Sequence, residues 1–473
     1  MKDGKSILLH NALIVTQESV KRGSIIIKDG RIDCTLYPDS DGYIEYCGQC
    51  ISYEELPGIF QSHGHTSDDL HGKHIMAGGI DAHVHFRDPG LTHKADFCSE
   101  SMAALLGGIT SVIDMPNTMP ATTSLQTLSQ KYSCISGKSW TNFGLHIGAT
   151  NSNSGEIIDM ISGPYAEQVA GIKVFMGSST GNMLVDSKDT LERIFSIREK
   201  PVLVHCEDEA TIRANLIAAK ERYGENIPFA EHPAIRSRRA CILSTIRALE
   251  LAIKHGTRLH LCHVSTKEEV RMIQAAKALN PDITAETSVN YLWFSDRDYD
   301  RLGSRIKCNP AIKTEEDRYA LIEGILDGTI DTIGTDHAPH LISEKSGNYC
   351  DTPSGIPSIQ HSLPVMLTIA DRNGIPLEKV SSLFSCNASR IFNVKGKGKI
   401  GIGMDADLTV FDPEEEFVVS RGDIAYRCGW SPYEGEKLKG RILDVYIAGV
   451  RRIENGTMAA DVPHGRQLSF NKA

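Results

Sequence analysis

The sequence predicts an α/β protein: a (β/α)8 TIM-like barrel carrying a small β-sandwich domain built from both ends of the chain. Three observations carry that expectation. From residue 75 onward, apolar strand-like runs alternate with amphipathic helical runs eight times over about 260 residues, the size and rhythm of such a barrel. The flanks, before this stretch and after Lys395, read as strands and turns instead. No glycine-rich nucleotide loop follows the first apolar run, as it would in a doubly wound open sheet.

With 473 residues the chain exceeds one small core, and three segments are expected. Residues 1–75 form the N-terminal part of the β-sandwich, 76–394 the barrel, and 395–473 the C-terminal part of the sandwich. A formal net charge of −10 with no long Lys/Arg run excludes a nucleic-acid or anionic-membrane surface. Ile7-Leu8-Leu9 is broken at once by His10 and Asn11, so no signal peptide is expected. No run approaches the roughly 18 apolar residues of a membrane span. Cys206 and Cys262 sit inside apolar runs, as reduced thiols do, and a cytoplasmic location is expected. Cys47-Gly48-Gln49-Cys50 has half the spacing of a zinc site, and no second pair follows.

In the N-terminal part, residues 6–15 and 24–27 are strand-like, with Lys28-Asp29-Gly30-Arg31 as a hairpin turn. Ser62-His63-Gly64-His65-Thr66 follows polar, glycine-rich residues and reads as a solvated loop. The barrel strands are expected at 75–83, 109–115, 143–149, 170–176, 201–206, 257–264, 282–287 and 330–335. Helical patterns such as 97–106 and 267–279 separate most of them. After Lys395, strand signals return at 406–411 and 442–447.

Chemistry in a barrel sits at the C-terminal strand ends, and residues able to bind metal fall there. The first strand ends in His83-Val84-His85, whose alternate residues face one way. The fourth carries Lys173 in an apolar run, the fifth ends at His205, the sixth at His263 and the eighth at Asp336. His260 lies three before His263 and faces away. Four imidazoles and a carboxylate suit zinc or a similar divalent ion. Among such ligands Lys173 is favoured as an uncharged amine, which can add carbon dioxide to give a bridging carbamate.

These residues are recognisable as a set. Asp81-Ala82-His83-Val84-His85-Phe86-Arg87-Asp88-Pro89-Gly90 resembles the signature of dihydroorotases in the amidohydrolase superfamily. Met115-Pro116-Asn117-Thr118-Met119-Pro120 and Gly334-Thr335-Asp336-His337-Ala338-Pro339-His340 resemble that family's second and third motifs. The likeness runs from about residue 6 to residue 448. It implies reversible cyclisation of N-carbamoyl-L-aspartate to L-dihydroorotate plus water, in pyrimidine biosynthesis, on a small-molecule substrate at a binuclear zinc site. His83 and His85 would hold the more buried ion, His205 and His263 the more exposed one. Carboxylated Lys173 would bridge the two Zn2+, with Asp336 on the buried ion and acting as general acid/base.

The resemblance also assigns Arg87, Asn117 and His340 to the substrate carboxylate and Asn309 to the ring. A homodimer is the candidate assembly. Two stretches depart from the family's pattern: Ser288-Val289-Asn290-Tyr291-Leu292 stands for Thr-Pro-His-His-Leu, and Asn309-Pro310-Ala311-Ile312-Lys313 for Asn-Pro-Pro-Leu-Arg. The alternatives are a sister hydrolase of hydantoins, dihydropyrimidines or allantoin, and a metal-free scaffold paralogue. The sister enzymes generally lack the counterparts of Arg87 and Asn117.

Overall fold

In a computed structural model, which describes residues 5–177 and 183–471, eight parallel strands follow one another in chain order. They are Gly79–Val84, Ile109–Asp114, Asn142–Gly148, Val169–Phe175, Val202–His205, Leu259–Leu261, Thr284–Thr287 and Thr332–Ile333. A parallel bridge from Val84 to His337 joins last to first, and the His85 amide donates to the His337 carbonyl at 2.8 Å. The sheet is therefore closed into a barrel. Its strands are buried along their whole length, as parallel strands covered on both faces must be.

The helices between the strands start where side chains can satisfy their first amides. Asp96 and Ser124 cap Phe97–Leu106 and Leu125–Ile135 with reciprocal bonds, and Thr266 does the same for Lys267–Lys277.

Both chain ends build a second, mixed sheet. Its order runs Thr457–Met458, Val450–Glu454, Lys437–Ile447, Leu408–Val418, His74–Ala77, Ile7–Val15, Val20–Lys28 and Arg31–Leu36, with Thr66–Asp69 also beside Ile7–Val15. Asp29 and Gly30 turn with positive φ, as the two-residue hairpin requires. Alternate residues serve two cores: Leu9, Ile25 and Ile27 pack with Leu408 and Val410, while Leu8 and Ile26 meet Tyr53, Leu56 and Phe60.

Three features differ from the sequence expectation. The run expected as one barrel strand over 75–83 is divided: His74–Ala77 pairs in the terminal sheet, and the barrel strand begins at Gly79. Gly78 makes the crossing against the Thr110 side chain, where a Cβ would collide. A helix, Leu56–Ser62, stands in the region read as strands and turns, because Leu56 and Phe60 at i, i+4 supply its buried face. Finally, the chain's last stretch leaves the sheet for the barrel. Leu468 and Phe470 pack with Ala82, Ile113, Ala170 and Leu203 inside the strands, and the Leu468 amide donates to the Phe143 carbonyl at 2.8 Å.

Candidate metal and substrate site

One pocket at the C-terminal strand ends is lined by His83, His85, Arg87, Lys173, His205, His263, Asn309 and Asp336, with Phe175, Ala338, Ser354 and Gly355. Five separate strands deliver the histidines, Arg87, Lys173 and Asp336, and the stretch after strand seven brings Asn309. Arg87, His263 and Asp336 lie in the left-handed backbone region, at φ 65, 38 and 47°. Such strain costs about 1–3 kcal/mol per residue and collects at functional sites.

The donor atoms form two groups. His83 Nε2 and His85 Nε2 lie 3.5 and 3.0 Å from Asp336 Oδ1. Across the pocket, His205 Nδ1 and His263 Nε2 are 2.9 Å apart. Around a tetrahedral ion with bonds of about 2.0–2.1 Å, neighbouring donors lie about 3.3–3.4 Å from one another. Both groups are within a few tenths of an ångström of that spacing. The donor chemistry, neutral imidazoles with a carboxylate, suits a divalent ion such as zinc.

Lys173 is completely buried between the two groups. Among the described residues its amine meets the Cys262 sulfur at 3.1 Å and the Phe175 ring, and no carboxylate within ion-pair reach. An unpaired ammonium there is costly.

The imidazoles are fixed from behind. His83 Nδ1 faces Glu286 Oε1 at 2.6 Å, His205 Nε2 faces Glu207 Oε2 at 2.9 Å, and His85 Nδ1 faces Asn117 Oδ1 at 2.7 Å. Holding one ring nitrogen sets the tautomer and aims the other. Glu207 also pairs with Arg236, and Glu286 accepts from the His263 amide at 3.2 Å. Burial works against both carboxylates' charge, yet Arg236 and His205 for the one, His83 and His260 for the other, hold each well below the usual carboxylate range. Gly334 packs so closely on the Glu286 carboxylate that any Cβ would displace it. Asp336 is likewise held low: its burial is outweighed by the hydrogen bond from His85 and the charges of His83 and His263.

Arg87 is 3% exposed. Its Nη2 lies 3.1 Å from His340 Nε2, and its Nε donates to the Pro339 carbonyl at 3.3 Å. Lys94 Nζ stands 3.1 Å from His340 Nδ1. Burial first, then Arg87, Lys94 and Lys345, keep His340 neutral.

The residues singled out in the sequence thus converge on this pocket: most line it, while Asn117 backs His85 and His340 backs Arg87. His260 points away, toward Thr284 and the Phe392 ring. Glu207, Glu286 and the pocket wall at Ser354 and Gly355 went unread. The signal for Glu286 was available: it is a charged residue inside a buried strand, as Lys173 is. At the strand seven side, Tyr291 donates to the Pro310 carbonyl at 2.8 Å and Lys313 turns back to Ala311, so the two departures from the family pattern pack together.

The Amidohydrolase family profile matches residues 74–452. The chain belongs to that family. Among curated relatives of this amidohydrolase, a dihydroorotase of Methanosarcina mazei is 36% identical over 379 residues, covering 78% of this chain and 81% of the relative. An allantoinase of Rubrobacter xylanophilus is 33% identical, covering 84% and 88%. The L-hydantoinase (dihydropyrimidinase) of Arthrobacter aurescens superposes with a TM-score of 0.88 at 26% identity, covering 98% and 99%. A cyclic amide hydrolase of this family, with a barrel and a terminal β-domain, is what the fold and these relatives show together. No helix of the described residues is long and apolar enough to cross a membrane.

Proposed function

We propose that this amidohydrolase is a dihydroorotase, interconverting N-carbamoyl-L-aspartate and L-dihydroorotate. One observation carries the reading: Arg87, a buried guanidinium on the pocket wall, has no carboxylate within ion-pair reach among the described residues. A buried cation of this kind calls for an anion, and its planar fork matches a carboxylate. The ring carboxylate of dihydroorotate supplies it; hydantoin and dihydrouracil carry none. His340 backs the guanidinium, and Asn309, whose buried Oδ1 has no partner among the described residues, faces the ring.

Two divalent ions fit the donor set. His83, His85 and Asp336 would hold one and His205 and His263 the other, with Lys173 bridging as its carbamate after its amine adds carbon dioxide and sheds a proton. When bound, the ions would supply an acidified water and Lewis-acid polarisation of the amide carbonyl. The chain's own part is positional and acid–base. Arg87 and Asn309 orient the ring over the donors. Asp336, an ionised carboxylate aimed into the pocket, accepts the proton of the attacking water and passes it to the leaving ring nitrogen. In cyclisation it returns that proton as water departs.

A second reading, a hydantoinase or allantoinase, is favoured by the allantoinase relative and the hydantoinase structure. Arg87→Met separates the two. It should lower kcat/KM for dihydroorotate by about 100-fold or more, the weight of a charge-assisted bidentate contact. An unchanged kcat/KM would remove the guanidinium from substrate binding and the dihydroorotase reading with it.

A further inference from the structure

The segment 341–353 leaves His340 and returns to the pocket at Ser354 and Gly355. Two lysines hold it, and neither belongs to the metal or carboxylate contacts above. Lys345 is 2% exposed and Lys307 6%. Lys345 Nζ donates to the carbonyls of Lys307, Pro353 and Gly355, at 3.2, 2.9 and 3.1 Å. Lys307 Nζ donates to the carbonyls of Tyr349 and Thr352, both at 2.6 Å, and lies 4.2 Å from the centre of the Tyr349 ring. The Gly355 amide closes the knot on the Lys307 carbonyl at 2.9 Å.

An ammonium has three donors, and those of Lys345 all go to main-chain carbonyls. A buried cation without a carboxylate partner is an expensive way to staple a loop, since an apolar side chain would fill the same space at lower cost. What distinguishes this staple is where its anchors lie. Pro353 and Gly355 bracket Ser354, so two of the three are on or beside the pocket wall; the third is two residues before Asn309. Gly355, at φ 147°, also lies against the Ala338 carbonyl and the His340 ring with no room for a Cβ, so the wall has little slack. Burial, with the charges of Lys307 and Arg87, lowers the Lys345 amine to about 7, which marks how costly this buried cation is.

We propose that Lys345, with Lys307, is a positioning residue that locks the Ser354 and Gly355 wall to the Asn309 arm and so sets the fit of the substrate ring. The clasp rests on the reading of this pocket as a cyclic-amide site. It acts on ring binding, and the four histidine donors come from other strands, Gly79–Val84, Val202–His205 and Leu259–Leu261 or the residues just after them.

The test is steady-state kinetics of metal-replete Lys345→Met and Lys307→Met, with metal content measured on the same samples. KM for dihydroorotate should rise about tenfold or more, as a displaced wall weakens substrate contacts. The kcat should stay within about threefold, and metal content should match the wild type. Unchanged KM in both variants overturns the proposal, as does a loss of kcat that tracks a loss of metal. Should neither variant fold, hydrogen exchange of the substrate-free wild type decides: amides of 341–355 protected as strongly as the barrel strands support the clasp, and rapid exchange there overturns it. Should the wild type hydrolyse hydantoin but not dihydroorotate, the dihydroorotase reading falls, and KM for hydantoin then judges the clasp by the same criteria.

Discussion

Replacing Glu286 by Gln should weaken the ion held by His83 more than the ion held by His205 and His263. The Glu286 side chain is 1% exposed and lies 2.6 Å from His83 Nδ1, 3.2 Å from the His263 amide and 3.6 Å from His260 Nε2. Glutamine keeps the volume, so the close contact with Gly334 is undisturbed. It removes the charge that raises the basicity of His83 and leaves an amide that can present either a donor or an acceptor to the ring. Outer carboxylates of this kind are worth about 10–100-fold in metal affinity, or about 1.4–2.8 kcal/mol. The affinity of the ion at His83 should fall by that factor in competition with a chromophoric chelator, with elemental analysis counting ions per chain. Glu207→Gln, acting on His205, should weaken the opposite ion instead. Cobalt substitution distinguishes the two sites through their visible spectra. If Glu286→Gln binds both ions with wild-type affinity, the carboxylate does not orient His83, and the reasoning from imidazole backing is wrong.

Three further outcomes are expected. Asp336→Ala should reduce turnover by at least about 1,000-fold while the circular dichroism of the metal-free protein is unchanged, because no other carboxylate among the described residues lines the pocket; retained turnover would remove Asp336 as the acid/base. Wild type equilibrated with 13C-bicarbonate should show a carbamate carbon signal that Lys173→Met lacks, and a wild type without that signal would exclude the carbamate bridge. Burial lowers His361, remote from the metal donors, to about 4. Its folded value lies below its unfolded one, so the stability it contributes is full above about pH 6.5. That stability is lost at about 1.4 kcal/mol per pH unit as pH falls toward 4. Chemical unfolding of the metal-free protein at pH 6.5 and 5 should show His361→Gln losing about 2 kcal/mol less than wild type; equal losses would contradict it.

The barrel was legible because each strand is an apolar run, and five of the eight carry a candidate metal-binding residue at or near the C-terminal end. His83, Lys173, His205, His263 and Asp336 could be aligned without knowing which strands pair, since every parallel strand ends on the same face. What could not be read depends on contacts distant in sequence. The division at Gly78 follows from pairing of His74–Ala77 with Leu408–Val418, more than 300 residues away, and nothing local separates that strand from the next. Leu468 and Phe470 enter the barrel by the same kind of long-range packing. Asn117 carried a motif that drew it toward the substrate, while its carbonyl oxygen is engaged by His85. Lys345 sits in a polar stretch with no periodicity, and only the folded loop shows that its amine is surrounded by carbonyls.

The buried guanidinium of Arg87 should select a ring bearing a carboxylate. Ultraviolet-monitored turnover of L-dihydroorotate, hydantoin and dihydrouracil by the same metal-replete preparation tests it most directly. The kcat/KM for dihydroorotate should lie at least about 100-fold above that for either neutral ring, the difference expected when a site built for a charged group meets a substrate lacking it. Equal or greater kcat/KM on hydantoin or dihydrouracil would contradict it.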